Sequence, residues 1–593
     1  MTIRSQRPGS TPGVGAHPPR TSRWRGRPAR GGLLAVLLCA LLLVVACTPP
    51  DLPPPVSPSA SEGDPGPSPR DDQTLVIGVD GTVTGFNPYV AAQYSLAGRA
   101  VANLVLPSVF PPGGIGPETS STALVDKVEV TSLAPFTVTY TLNKSAAWAD
   151  GTPIAAEDFT YLWQQMVSQP GVVDPGGYRL ITDIRSADAG KTVIVEFVTQ
   201  YGDWRSLFSP LLPARTLKDQ PGGFLGALAD GIPVSGSSYK LKSFDPINGE
   251  IVLARNDKYW GPEPGPVEVT FRIGPAEELA DAVHRGDIDA AYLQPDPATL
   301  IRLRADNAAD KQFTVPLPQV DRIDFALDSA VTSNLAVRRG IALALNLDQL
   351  ATAWSQGRVS GFTRVGSMVS LPATQAPTTA ALPLTGTAAD AFAEAGYTRP
   401  GLYYSRDDQT LRVTVGYPVE DVRSTAAARE LQRQLGRAGV LVDLIGLSTA
   451  DLIDPGVAPV PADLIVHSVP RGASDSAVAA AALGCSAPAV GPELLPLCPA
   501  SADGGIPSMD SDVVALLAGV SGAGAMSNTP TLMAAREAVD AALWDQLPYL
   551  PVAEPAAVFV IAGSVSHLLV DDDPLRLLWG GPLVDLPTWT LPG

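Results

Sequence analysis

The stretch Trp148-Ala149-Asp150-Gly151-Thr152-Pro153-Ile154-Ala155-Ala156-Glu157-Asp158-Phe159, running on through Tyr161-Leu162-Trp163-Gln164-Gln165-Met166, decides how this chain is read. Asp150-Gly151 followed by Pro153 is turn chemistry, since Gly accepts the positive φ of a tight reversal and Pro presets its own backbone angle. Glu157 and Asp158 stand where a helix begins, and carboxylates there complement the free N–H groups of a first turn. Phe159, Leu162, Trp163 and Met166 recur at i, i+3, i+4 and i+7, which predicts a helix with one buried stripe. The aromatics of that stripe read as core, not as a ligand cage. Ala155 occupies the capping position without a side-chain acceptor, a loss of about 1 kcal/mol that carries no functional information.

Working outward, Thr74–Val79 and Phe136–Leu142 read as strands, the second with clean period-two alternation. Tyr239–Phe244 and Glu250–Arg255 predict a hairpin, and Val267–Ile273 a further strand. Helices are expected over Ala276–Arg285, Ala336–Leu350 and Ser424–Ala438, the last closed by Gly439 before a returning strand Val440–Leu444. Strand and helix alternate as in a mixed α/β fold. There is no internal repeat. At 593 residues the chain exceeds one hydrophobic core and predicts two or three domains.

The first 47 residues state a destination. Arg20, Arg23, Arg25, Arg27 and Arg30 form a basic leader, and Leu33–Ala46 follows as fourteen almost wholly apolar residues. A bilayer-spanning helix takes roughly 20, so the run has the length of a signal-peptide core. It ends Val44-Val45-Ala46-Cys47, which resembles a bacterial lipobox whose Cys47 thiol is lipidated after cleavage. Several acyl chains hold a protein stably to a membrane where one does not. Nine prolines between Pro49 and Pro69, mixed with Ser, Gly and Asp, predict a stiff solvated tether. The chain is thus expected on the extracytoplasmic face of the cell membrane, 1–46 being the signal peptide and 47–73 the tether.

Seven arginines and no acid lie in residues 1–46, so the net charge of −19 leaves −26 on the remainder. That balance argues against nucleic acid, which needs a basic footprint. Apolar residues make up 45% and charged residues 17%, a globular composition. Cys485 and Cys498 are the cysteines left once Cys39 departs with the signal and Cys47 is lipidated. In an exported chain they are expected to form a disulfide. No C-x-x-C is present and no His lies at ligand spacing from them, so neither a metal nor another cofactor is expected. Four histidines, one of them in the leader, leave little for triad chemistry, and there is no phosphate loop or H-E-x-x-H. The chain reads as a binding protein with no catalytic residue.

In order, the segments resemble the extracellular solute-binding proteins of the peptide and nickel class, family 5. Trp148–Phe159 is similar to that family's W-x-D-G-x-P…E-D signature, and Arg255-Asn256-Asp257-Lys258-Tyr259-Trp260-Gly261 to its R-N-x-x-Y-W-G. Arg285–Asp289, Val337–Asn346 and Ala393–Tyr397 match its G-x-I/L-D turn, its V-R helix and its A-E-A-G-Y helix end. The resemblance implies an α/β, two-lobed periplasmic-binding-protein fold with mixed sheets, an extra inserted domain and a hinge. Lobe one would be 74–312 plus 555–593, with the insertion about 119–214, and lobe two 313–554. The crossings would lie near Phe313–Pro318 and Pro548–Pro551. The implied partners are a small-molecule or peptide ligand in the cleft and an ABC permease, the chain itself being a monomer. Within the family, Gly85-Phe86-Asn87-Pro88-Tyr89, Tyr161–Met166 and Gly171–Tyr178 resemble the LpqW-like lipoproteins of mycobacteria. That narrower resemblance implies partners among the membrane-bound enzymes of mannolipid synthesis, a regulator reusing the binding-protein fold.

Peptide-binding members carry W-x-A-D-Y-P-D in lobe two, whose Asp pairs with the peptide ammonium. Here the matching place reads Ala462–Asp475, with Arg471 and Gly472 where Ala and the acid belong. An unpaired buried ammonium costs several kcal/mol, so ordinary peptide import is in doubt, unless Asp475 substitutes. Arg471 is either a cleft cation for a phosphate or carboxylate or a solvated loop residue. His467 is either a rim histidine or a cleft hydrogen bonder. Asn87 and Tyr89, in the segment that borders the cleft in relatives, and Tyr178, in a Pro/Gly loop, complete the ligand-binding candidates.

Overall fold

Five consecutive buried residues in Thr74–Asp80 put that strand in the middle of a sheet covered on both faces. The computed structural model describes residues 73–112, 122–305, 309–356, 363–364, 367–368, 383–453, 460–470, 530–562, 565, 570, 577–578 and 580–590. A seven-stranded sheet runs in the order Ala309–Pro316, Ala556–Ala562, Ala290–Leu293, Thr74–Asp80, Glu268–Gly274, Glu250–Arg255, Tyr239–Asp245. The central strand is parallel to both its neighbours and the remaining pairs are antiparallel, so the sheet is mixed. Ala556–Ala562 is buried at every position, which is why it reads as an unbroken apolar run.

A six-stranded sheet follows the order Thr363–Arg364, Tyr549–Glu554, Gln319–Phe325, Leu464–Pro470, Arg412–Pro418, Leu441–Leu447. Arg412–Pro418 is joined to its parallel neighbour Leu441–Leu447 through the helix Val422–Ala438. Gly439, at φ 96°, ends that helix in the left-handed region where a side chain would be strained. The chain passes from the first sheet to the second between Pro316 and Gln319. It returns at Pro555, later than the expected Pro548–Pro551, because Tyr549–Glu554 is still paired with Gln319–Phe325. Four antiparallel strands form a third sheet in the order Val125–Leu133, Phe136–Leu142, Thr192–Phe197, Ile181–Ala187.

The helix read from the Phe159 stripe spans Ala156–Ser168, with Phe159, Leu162 and Met166 buried. Asp158 ties down the start of the helix by another route. Its Oδ2 accepts from the Ala155 N–H at 3.0 Å and its Oδ1 from the Ala214 N–H at 3.0 Å. Burial pushes that carboxyl up to about 6. The expected single helix Ala336–Leu350 is two, Leu335–Leu343 and Leu347–Ser355. Asn346 breaks it by capping the second, its Oδ1 accepting from the Gln349 N–H at 3.0 Å. Among the described residues no helix is long and apolar enough to cross a membrane.

Candidate ligand-binding site

The segments 85–89 and 171–178 lie side by side. The Val173 N–H donates to the Tyr89 carbonyl at 2.8 Å and the Ala91 N–H to the Gly171 carbonyl at 2.9 Å. The third segment of the narrower likeness reaches the same place, since Trp163 Nε1 donates to the Tyr178 carbonyl at 3.1 Å. Three motifs, one of them some 70 residues from the other two, therefore meet in one place. Their meeting place forms a wall of a cavity of about 170 Å³, whose other walls come from the helix Leu96–Val105, from 201–210, and from Pro318 and Pro470 of the second sheet's strand ends. The cavity thus takes residues from both sheet systems.

Asn87 does not line it. The residue is fully buried, its Oδ1 accepting from the Tyr89 N–H at 3.0 Å and its Nδ2 donating to the Phe224 carbonyl at 2.7 Å. It shapes the turn that presents Tyr89. Tyr89 and Tyr178 both line the cavity, edge to face at 6.4 Å. Their hydroxyls are committed: Tyr89 donates to the Pro210 carbonyl at 2.5 Å, and Tyr178 accepts from the Phe208 N–H at 2.9 Å. Burial pushes both phenols above their ordinary value. They offer ligand a rigid ring surface rather than free hydroxyls.

His467 lies outside the cavity lining. Its Nε2 stands 2.8 Å from Asp324 Oδ2, and Arg322 Nη2 donates to the same oxygen at 3.0 Å while stacking over Tyr549 at 4.6 Å. Burial pushes the Asp324 carboxyl up, but Arg322 and then His467 outweigh it and hold it down at about 2. His467 is three residues from Pro470, so this network braces the strand whose tip reaches the cavity. Arg471, Asp475, Cys47, Cys485 and Cys498 lie outside the described residues.

The chemistry of the cavity comes from residues that the sequence did not single out. Asp174 lines it in a left-handed conformation, φ 51°, immediately before Pro175. A residue preceding proline is pushed toward extended backbone, so this is a strained position of the kind that gathers at functional sites. Burial pushes its carboxyl up to about 7. Arg205 lines the cavity with its guanidinium 4.3 Å over Trp204 and 5.8 Å over Phe110, and burial lowers its pKa. Arg99 donates to the Tyr94 hydroxyl at 2.6 Å. The one signal in the sequence was Asp-Pro inside a Val-Val-Asp-Pro-Gly-Gly loop, a reversal holding an acid. Arg205 has no periodicity or motif to mark it. Among the described residues no three His, Cys, Asp or Glu side chains group as metal ligands would.

The profile of bacterial extracellular solute-binding proteins, family 5 middle, matches residues 122–468. The probable monoacyl phosphatidylinositol tetramannoside-binding protein LpqW of Mycobacterium tuberculosis H37Rv is 33% identical over 493 residues, 77% of each chain. The oligopeptide-binding protein OppA of the same strain is 29% identical over 205 residues, 32% of this chain and 33% of that one. Among solved structures, the oligopeptide-binding protein AppA of Bacillus subtilis with a nonapeptide superposes with a TM-score of 0.63 at 15% identity, over 88% of this chain and 99% of that one. The fold is the two-lobed one of periplasmic peptide-binding proteins, and the chain belongs to the bacterial extracellular solute-binding proteins of family 5.

Proposed function

We propose that this chain is a lipid-anchored extracytoplasmic binding protein that captures an anionic ligand in the cavity beside Asp174 and Arg205, and recognises it without transforming it. The observation that carries the reading is Arg99 and Arg205 lining one small cavity, in which Arg205 has its guanidinium over the Trp204 ring and makes no ion pair among the described residues. A guanidinium so placed suits phosphate or carboxylate, which it binds through two parallel N–H bonds. The similarity to LpqW, over most of both chains, supports a ligand with a phosphodiester headgroup and a role alongside membrane-bound enzymes of mannolipid synthesis.

A second reading, receptor for an ABC importer of small peptides, is favoured by Asp174, since a cavity carboxyl suits a peptide ammonium, and by the similarity to OppA over a third of the chain. Native mass spectrometry of the protein purified from its own host separates the two. An anionic, non-peptide mass that leaves on denaturation, together with an acylated mature N-terminus at Cys47, is the result expected. A peptide mass establishes the second reading. An empty protein with an unprocessed leader overturns both.

A further inference from the structure

We propose that the cavity takes up its anion together with a proton, which lodges on Asp174, so that capture is favoured in acid and release above neutral pH. This rests on the anionic reading above and adds the control of that same site.

Two opposite charges share the cavity without satisfying each other. Asp174 and Arg205 both line it. Arg205 lies over Trp204 and Phe110, and neither it nor Asp174 makes a hydrogen bond or ion pair among the described residues. Arg99 is already engaged, with the Tyr94 hydroxyl at 2.6 Å and with a further partner. Arg205 is therefore the lining guanidinium left for a ligand, and Asp174 the carboxyl that a ligand must accommodate.

Asp174 is held where it is. It sits at φ 51° directly before Pro175, a conformation that persists only where the surroundings enforce it. They do so from both sides. The Val173 N–H donates to the Tyr89 carbonyl at 2.8 Å, and the Arg179 N–H to the Pro175 carbonyl at 3.1 Å. The backbone on either side is thereby fixed, and the carboxyl stays in the cavity wall in either ionisation state.

The other groups facing it do not titrate with it. Tyr178 comes from its own loop, Tyr201 from 201–210, and Tyr89 from 85–89. Burial pushes all three phenols above their ordinary value, so they stay neutral near pH 7. Asp203, which acts on Tyr201 alongside Asp174, is buried and has a partner of its own. Asp174 itself is poised to change, since burial holds its carboxyl at about 7.

An anion meets this carboxyl at close range. In a cavity of about 170 Å³ a ligand oxygen on Arg205 and the Asp174 carboxylate stand near one another, and like charges within roughly 4–6 Å oppose each other's ionisation. Protonation removes the repulsion. It also turns an acceptor into an O–H donor, so that Asp174 donates to the anion from one side and Arg205 from the other. By linkage, an anion that prefers the protonated form raises the proton affinity of Asp174 by the same factor.

The test is isothermal titration of the full mature chain with sulfate and with benzoate, anions whose charge is constant from pH 6 to pH 8. Affinity for both should fall about tenfold over that range, because the binding-competent form carries a proton on a group near 7. Buffers of different ionisation heat should show close to one proton taken up per anion at pH 8 and almost none at pH 6. Asp174→Asn keeps a donor but cannot ionise, and Asn tolerates the left-handed region. It should bind at pH 8 as tightly as the parent does at pH 6, a gain that misfolding cannot produce. If it does not fold, Asp174→Gly, at ease at φ 51°, should likewise lose the pH dependence. Anion binding with no slope, or a slope that persists in the variants, overturns the proposal and leaves the anionic reading intact. Failure of both anions to bind at any pH overturns the two together. Trialanine that binds more tightly as pH rises, and is lost in Asp174→Asn, overturns them in favour of the peptide reading.

Discussion

Replacing Arg423 by Met should destabilise the second sheet's half of the molecule by about 3–5 kcal/mol. Arg423 Nη2 lies 2.7 Å from Asp321 Oδ2, and Asp321 is wholly buried. Ser468 donates to the other carboxylate oxygen. Breaking a buried pair from one side leaves a charge without water or counter-charge, and the cost of that is about 3–5 kcal/mol. Burial already pushes the Asp321 carboxyl up despite Arg423, so removing the guanidinium raises it further. A raised native pKa means that the native state holds a proton which the unfolded state has released. Stability therefore falls as pH rises from the ordinary carboxylate range through the raised value, and the variant's deficit should be largest at neutral pH and shrink toward pH 4. At roughly 2–4 °C per kcal/mol for a domain of this size, a melting shift of about 6–20 °C is expected by circular dichroism. The double variant Asp321→Asn with Arg423→Met should recover most of it, since no charge is then stranded. The consequence reaches the site, because Asp321 and Ser468 are paired across the strands whose ends carry Pro318 and Pro470. A loss below 1 kcal/mol, or a deficit that does not shrink on acidification, refutes the reasoning.

Three further outcomes follow from other residues. Asp174 is held up at about 7 by burial, so it weakens the fold progressively as pH rises from 4 to 7. Asp174→Asn should melt with the parent near pH 4 and above it at pH 8, with identical curves at both ends counting against this. Asp324 is held at about 2, the opposite sign, and its contribution is present above pH 4 and lost as pH falls toward 2. Asp324→Asn should therefore be destabilised at pH 7 and lose that difference at pH 2 in urea melts. Lys191 donates to the carbonyls of Asn143, Ala146 and Ile154 at 3.1, 2.8 and 2.9 Å, holding the Trp148–Pro153 turn. Lys191→Met should cost about 2–4 kcal/mol, measured by denaturant titration, and no change would show those carbonyls to be content with water.

Periodic segments were legible and convergent ones were not. The Phe159 stripe gave its helix almost to the residue because packing at 3.6-residue spacing leaves a mark in one short window. Gly439 marked a helix end because only a residue without Cβ sits easily at φ 96°. Asn346 was passed over because Ala and Leu on both sides keep the helical pattern going, and a single cap decides the break. At the cavity, Tyr89 and Tyr178 could be named from their segments, but their hydroxyl partners, Pro210 and Phe208, lie elsewhere in the sequence. Arg205 gains its meaning from lining one cavity with Asp174 and Arg99, a proximity that no local pattern encodes. Asn87 shows the reverse case, a polar residue in the cleft segment whose side chain is spent on its own turn and on the Phe224 carbonyl.

Ligand is proposed to be held in one small cavity built from both sheet systems. Hydrogen–deuterium exchange on host-purified protein, compared with the same protein stripped of ligand by unfolding and refolding, tests it most directly. Peptides covering 172–178, 203–210 and 464–470 should all exchange more slowly in the loaded protein, with the sheet interiors unchanged. Slowing confined to any other surface, with those three segments exchanging alike in both samples, would contradict it.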